Sequence, residues 1–135
     1  MADVTVTAAE VLPASGTTYF DALLGATVTA GQSVYIDSSG LVQLADADAS
    51  ATAAQAKGIA MTGGAAGQPC RVAISGNIDP GFTVTVGEIY VVSATAGGIA
   101  PVADLATGMY PHILGFGTTA SNLKIINQFA GVAVP

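Results

Sequence analysis

The stretch Val28–Asp46, VTAGQSVYIDSSGLVQLAD, decides the fold class. Ser33–Asp37 and Leu41–Leu44 are runs of strand-forming residues on either side of a Ser38-Ser39-Gly40 turn. Val34 and Ile36 alternate with Ser33, Tyr35 and Asp37, the period of a half-buried strand with one apolar and one polar face. A short connection ending in glycine between two such runs predicts a β-hairpin. Ala30-Gly31 ahead of it reads as a turn, because glycine takes positive φ without steric cost.

The same phrase returns in the second half, where Val84 stands 56 positions after Val28. Val84-Thr85-Val86-Gly87-Glu88-Ile89-Tyr90-Val91 aligns with Val28 to Ile36 if one residue is deleted after the glycine, which pairs Tyr90 with Tyr35. Ile99–Asp104 then matches Leu41–Asp46, Gly115-Phe116-Gly117 matches Gly58-Ile59-Ala60, and 123–127 matches 70–74. The pattern predicts an all-β chain, a small β-barrel or β-sandwich built from two similar hairpin-rich halves. The halves are expected over about 25–78 and 82–128, within one domain over 17–135 that follows an extended N-terminal arm over 1–16.

Composition narrows the function. Only 9% of the 135 residues are charged, against roughly 25% in an average soluble domain. The net charge of −6, with only Lys57, Arg71 and Lys124 as cations, argues against nucleic acid, whose phosphates need a clustered positive field. Arg71 and Lys124 align between the halves, and both read as partners of nearby acids or of a subunit contact. The longest charge-free run, Leu105–Leu123, holds Gly108, Pro111, Gly115 and Gly117 and cannot form a membrane-spanning helix. A transmembrane barrel would need more strands and aromatic girdles. Met1-Ala2-Asp3-Val4-Thr5 lacks a basic region and an apolar core, so a soluble protein without a signal peptide is expected.

Along the chain, Asp3–Val11 alternates loosely and reads as an arm or edge strand that could add to a partner's sheet. Thr18-Tyr19-Phe20 with Leu23-Leu24 reads as a short strand or a core plug. Ala45–Ala56 is expected to be a surface loop with at most two helical turns, capped by Asp46 or Asp48. Strands are expected at Lys57–Met61, Pro69–Ser75, Phe82–Val86, Glu88–Ser93, Ile99–Val102, His112–Phe116 and Asn122–Gln128, with Asn77–Gly81 as the turn between the halves. The apolar tail Phe129–Pro135 should be docked, on its own core or on a neighbour.

Catalytic chemistry is hard to find. His112 is the one histidine and has no metal-ligand spacing around it, no serine sits in a GxSxG elbow, and Gly63–Gly67 lacks the lysine and helix of a phosphate loop. Asp79 and Glu88 fall in unrelated contexts, and Cys70 reads as a small buried residue. No enzyme, cofactor or metal is expected. A β-rich chain depleted of charge suits burial against partners in a symmetric assembly.

Gly31-Gln32-Ser33-Val34-Tyr35-Ile36-Asp37-Ser38-Ser39-Gly40, followed by the Ala/Asp-rich 44–49, the Gly58-Ile59-Ala60 strand and Gly67–Val72, resembles tailed-bacteriophage capsid decoration (cement) and head-fibre base proteins. The resemblance covers Gly25–Gly76 well and the second half weakly. It implies a structural virion protein, made in the host cytoplasm, that binds the major capsid protein on the outside of the mature head. There it would resist internal DNA pressure, commonly as a homotrimer. Val4, Val6 and Val11 of the arm and Phe129, Val132 and Val134 of the tail are then the candidate capsid- or subunit-contact residues. The alternative is a receptor- or glycan-binding module of a phage head or tail fibre, or a completion component of the head or tail.

Overall fold

The computed structural model describes residues 3–135. Its strands are β1 (Val11–Pro13), β2 (Thr18–Leu23), β3 (Ser33–Ile36), β4 (Val42–Leu44), β5 (Gly58–Ala60), β6 (Pro69–Pro80), β7 (Ile89–Val92), β8 (Ile99–Pro101), β9 (His112–Gly117) and β10 (Leu123–Phe129), with one short helix, α1 (Ala51–Ala54). The protein is all-β, an antiparallel sheet curled into a half-barrel. The main path runs β4-β3-β5-β6-β10-β9-β7-β8, with β1 and β2 also pairing to β6.

That order reads the same outward from its centre, and the hydrogen bonds explain why. Gly31 N donates to Ala60 O (2.7 Å), Ala60 N to Gln32 O (2.8 Å) and Gln32 N to Thr29 O (3.3 Å). Gly87 N donates likewise to Gly117 O (2.9 Å), Gly117 N to Glu88 O (3.0 Å) and Glu88 N to Thr85 O (3.1 Å). Both turns need a positive φ, 92° at Gly31 and 82° at Gly87, which glycine supplies. Val34 pairs with Gly58 as Tyr90 pairs with Gly115. Tyr90 therefore answers Val34 and not Tyr35, and no residue is deleted after the glycine.

Arg71 and Lys124 are not equivalent either. Met61 N bonds Arg71 O as Thr118 N bonds Asn122 O, so Arg71 answers Asn122 and Lys124 answers Ala73. Ladder bonds count residues, whereas the alignment followed side-chain likeness across loops of different length.

The junction between the halves also differs from the sequence expectation. Asn77–Pro80 is strand, not turn: β6 continues to Pro80 and pairs with β10 through Leu123↔Ile78, Lys124↔Asn77 and Ile125↔Gly76. Proline is tolerated because it closes the strand, and only Gly81 turns (φ 80°). The halves thus meet inside β6, at Gly76 (φ 86°), where a Cβ would collide with the Gly16 carbonyl. Phe82–Val86 forms no strand, and Val84 N instead reaches Ala120 O (2.9 Å). Helix α1 is capped by Ser50, whose Oγ accepts from Ala53 N (3.1 Å), and not by Asp46 or Asp48.

Two cores result. Leu24, Val28, Val34, Val42, Ala60, Cys70 and Val72 fill the first half. Val84, Tyr90, Val92, Ile99, Leu123 and Ile125 do the same in the second, and Ile59, Ala73, Ala45 and Ala47 of the first half join that cluster from outside. The opposite face of the first hairpin is consequently not the polar, solvated one expected: Ser33 is fully buried and Tyr35 half-buried.

Candidate functional site

The arm is folded onto its own chain. Val4 N donates to Ile99 O (2.9 Å) and Thr7 N to Gly81 O (2.8 Å), Ala8–Glu10 makes a 3-10 turn, and β1 pairs with the end of β6. Val4 covers the outer edge of β8, much as Gly25 N covers that of β4 through Val42 O (2.9 Å). Capped edges do not recruit strands from other chains. Val11 is buried and Val6 half-buried, lying where a Cβ on Gly31 would strike it.

The tail is docked too. Val134 N donates to Met109 O (2.8 Å), Gly108 N to Val134 O (2.9 Å), and the Phe129 ring lies 5.8 Å from the His112 ring. Of the six candidate contact residues Val132 is 71% exposed, Val4, Val6, Phe129 and Val134 are half-buried, and Val11 is buried.

Apart from Val132 and the turn residue Val86, the exposed large apolar side chains lie in two places. Leu12, Tyr19 and Leu23 project from β1 and β2. There Asp21 accepts from Arg71 Nε (3.0 Å) and Nη2 (3.2 Å), and the guanidinium sits 4.9 Å from the Tyr19 ring. The Arg71 bonds hold the Asp21 carboxyl below its ordinary range. Lys57 lies 4.7 Å from the Phe20 ring. Two of the three cations are thus held against β2.

The second place is the outer face of the second half. Ile89, Phe116, Lys124 and Asn77 stand in register across β7, β9, β10 and β6. Ile89 is 38% and Ile126 40% exposed, Lys124 is exposed and Phe116 half-buried. The matching row of the first half, Ser33, Ile59 and Ala73, is fully buried. Sequence reading missed this face. The alternation within β10 (Lys124, Ile126 against Leu123, Ile125) carried its parity, but not which side another layer would cover.

One polar junction ties the sheet together. Asn127, at a bulge in β10, has φ 48°. Its amide donates to Lys57 O (2.9 Å) and Ile74 O (3.0 Å), and its Oδ1 meets His112 Nε2 at 3.1 Å. His112 is buried, which pushes its pKa below the ordinary 6.5 while the Asn127 bond opposes the shift. Cys70 is also buried, and burial raises its thiol pKa. Among the described residues no three His, Cys, Asp or Glu side chains converge on a metal-sized site. A polar cavity of about 310 Å³ opens between the arm and the second half, lined by Thr5, Thr7, Glu10, Asp79, Phe82 and Ser121 among others.

No known protein family matches the chain, and no curated protein is significantly similar to it.

Proposed function

We propose that this chain is a structural protein of a bacteriophage virion. It decorates the outside of the mature head, binds the major capsid protein as a homo-oligomer, a trimer by the resemblance, and performs no catalysis. The observation that carries the reading is the charge-poor outer face of the second half, where Ile89, Phe116 and Ile126 share the face with a single cation, Lys124. Surfaces of this kind gain by burial against a fixed partner. The resemblance over Gly25–Gly76 supports the same reading. A cement protein acts by linkage: it binds the assembled lattice and not free subunits, and so stabilises the lattice by its own binding free energy.

The test is to mix the purified protein with expanded capsids lacking it and to sediment them. Saturable co-pelleting with raised capsid heat resistance is expected, and absence of binding overturns the reading. One observation favours the fibre alternative. The cavity beside Phe82 sets two carboxylates and several hydroxyls next to an aromatic ring, a combination suited to a sugar. Binding to a glycan array or to bacterial cells, with no affinity for capsids, would establish that function instead.

A further inference from the structure

Two surfaces that meet inside the chain have counterparts left uncovered. The outer row of the first half (Ser33, Ile59, Ala73) is buried because the second half sits on it. Ser33 N donates to Gly97 O (3.0 Å) and Ser33 Oγ to Gly98 O (2.9 Å). Gly97 N reaches Ala45 O (2.7 Å), Ala47 N reaches Ser93 O (2.9 Å), and Tyr110 N reaches Ala47 O (2.8 Å). The β7–β8 turn therefore covers the Ser33 end of that row, the loop that follows β8 covers the adjoining Ala45–Ala47 segment, and Ile59 and Ala73 pack with the core of the second half.

The same turn exists in the first half. Ser93 N bonds Gly98 O as Asp37 N bonds Leu41 O, and the Ser93 side chain accepts from Thr95 N as the Asp37 carboxylate accepts from Ser39 N. Asp37–Leu41 is thus the counterpart of the covering turn, and the 45–57 loop is the counterpart of the covering loop. Ser38, Ser39, Gly40, Asp48, Ala49 and Ser50 all lie exposed. At the opposite end, the counterpart of the covered row is the exposed Ile89–Phe116–Lys124 row.

We infer that these two open surfaces belong to one another in successive copies of the chain: the Asp37–Gly40 turn and the exposed Asp48, Ala49 and Ser50 of one copy seat on the Ile89–Phe116–Lys124 row of the next. Charge supports the pairing. Lys124 has no acidic partner among the described residues, and the facing elements carry Asp37 and Asp48. A contact between two different surfaces is heterologous, so each copy keeps a donor and an acceptor face and the assembly grows head to tail until a ring closes. The inference rests on the virion reading and deepens it, assigning that same outer face to the contact between copies; a monomer in solution overturns the inference alone, whereas absence of capsid binding overturns the reading.

Sedimentation equilibrium of the full chain tests it, with far-UV circular dichroism to confirm that each variant is folded. An oligomer of three or more copies is expected. Ile89→Glu should leave a folded monomer. Lys124→Glu and Asp48→Lys should each weaken association about tenfold or more, since like charges then face each other, and the two combined in one chain should restore it. A wild-type monomer or dimer, unchanged association in Ile89→Glu, or a double variant no better than either single one would overturn the assignment.

Discussion

Asn127 holds positions that no other residue type would serve together. It is the one non-glycine with positive φ among the described residues, and its amide reaches Lys57 (just ahead of β5), β6 and β9 at once. Asparagine tolerates the left-handed region better than other side chains, because it is short and polar. Asn127→Ala removes two donors from the Lys57 and Ile74 carbonyls and adds backbone strain, for an expected loss of about 2–4 kcal/mol by urea denaturation. Asn127→Gly relieves the strain and keeps the lost bonds lost, so it should be less destabilised than alanine by about 1 kcal/mol. Equal stability of wild type and glycine variant would show that the amide contributes nothing.

His112 gives this junction a pH dependence. Burial favours the neutral ring, so the folded pKa lies below the unfolded value of 6.5. In that window the unfolded chain binds more protons, and stability must rise with pH. The contribution is complete above the unfolded value and is lost progressively as pH falls through 6.5 towards the folded one. Melting temperature should therefore drop as pH falls from neutrality through 6.5, and His112→Gln should flatten that part of the profile. A variant with an unchanged slope would place the titration elsewhere.

At the scale of elements, the short strands meet through glycines at equivalent places. A Cβ on Gly58 would collide with the Ala73 carbonyl, and one on Gly115 with the Lys124 carbonyl. Each ladder closes only because no side chain intervenes, so Gly58→Ala and Gly115→Ala should each cost about 3 kcal/mol. Gly40 has positive φ but open space around it, and Gly40→Ala should cost only about 1 kcal/mol. Thermal melts of the three variants would check the ranking. The hairpin β3–β4 was legible in the sequence, because alternation and a Ser-Ser-Gly turn are local signals. The continuation of β6 through Asn77–Pro80 was not, because Asn, Asp and Pro usually mark turns and here β10 and β1 hold them extended from both sides. The outer row of the second half escaped for a related reason. Lys124 and Phe116 show their parity in sequence, but exposure depends on which layers stack, and the repeat buries that row once and leaves it open once.

In the whole molecule residues 3–10 act as part of the second half and not as a spare limb. Val4 closes the edge of β8, Thr7 anchors to Gly81, and Val6 packs where Gly31 and Gly81 leave room. A free capsid-binding arm could be removed without effect on the isolated protein. Here deletion of residues 1–10 exposes the β8 edge and takes away two half-buried valines and two backbone bonds, for an expected loss of about 2–4 kcal/mol by urea denaturation without any capsid present. The uncapped edge should also promote aggregation at high protein concentration, visible as light scattering. If the truncated chain keeps full stability yet no longer binds capsids, the arm is a contact element after all. If it loses stability and its capsid binding recovers at low temperature, where the remaining fold is populated, the virion-facing surface lies on the sheet.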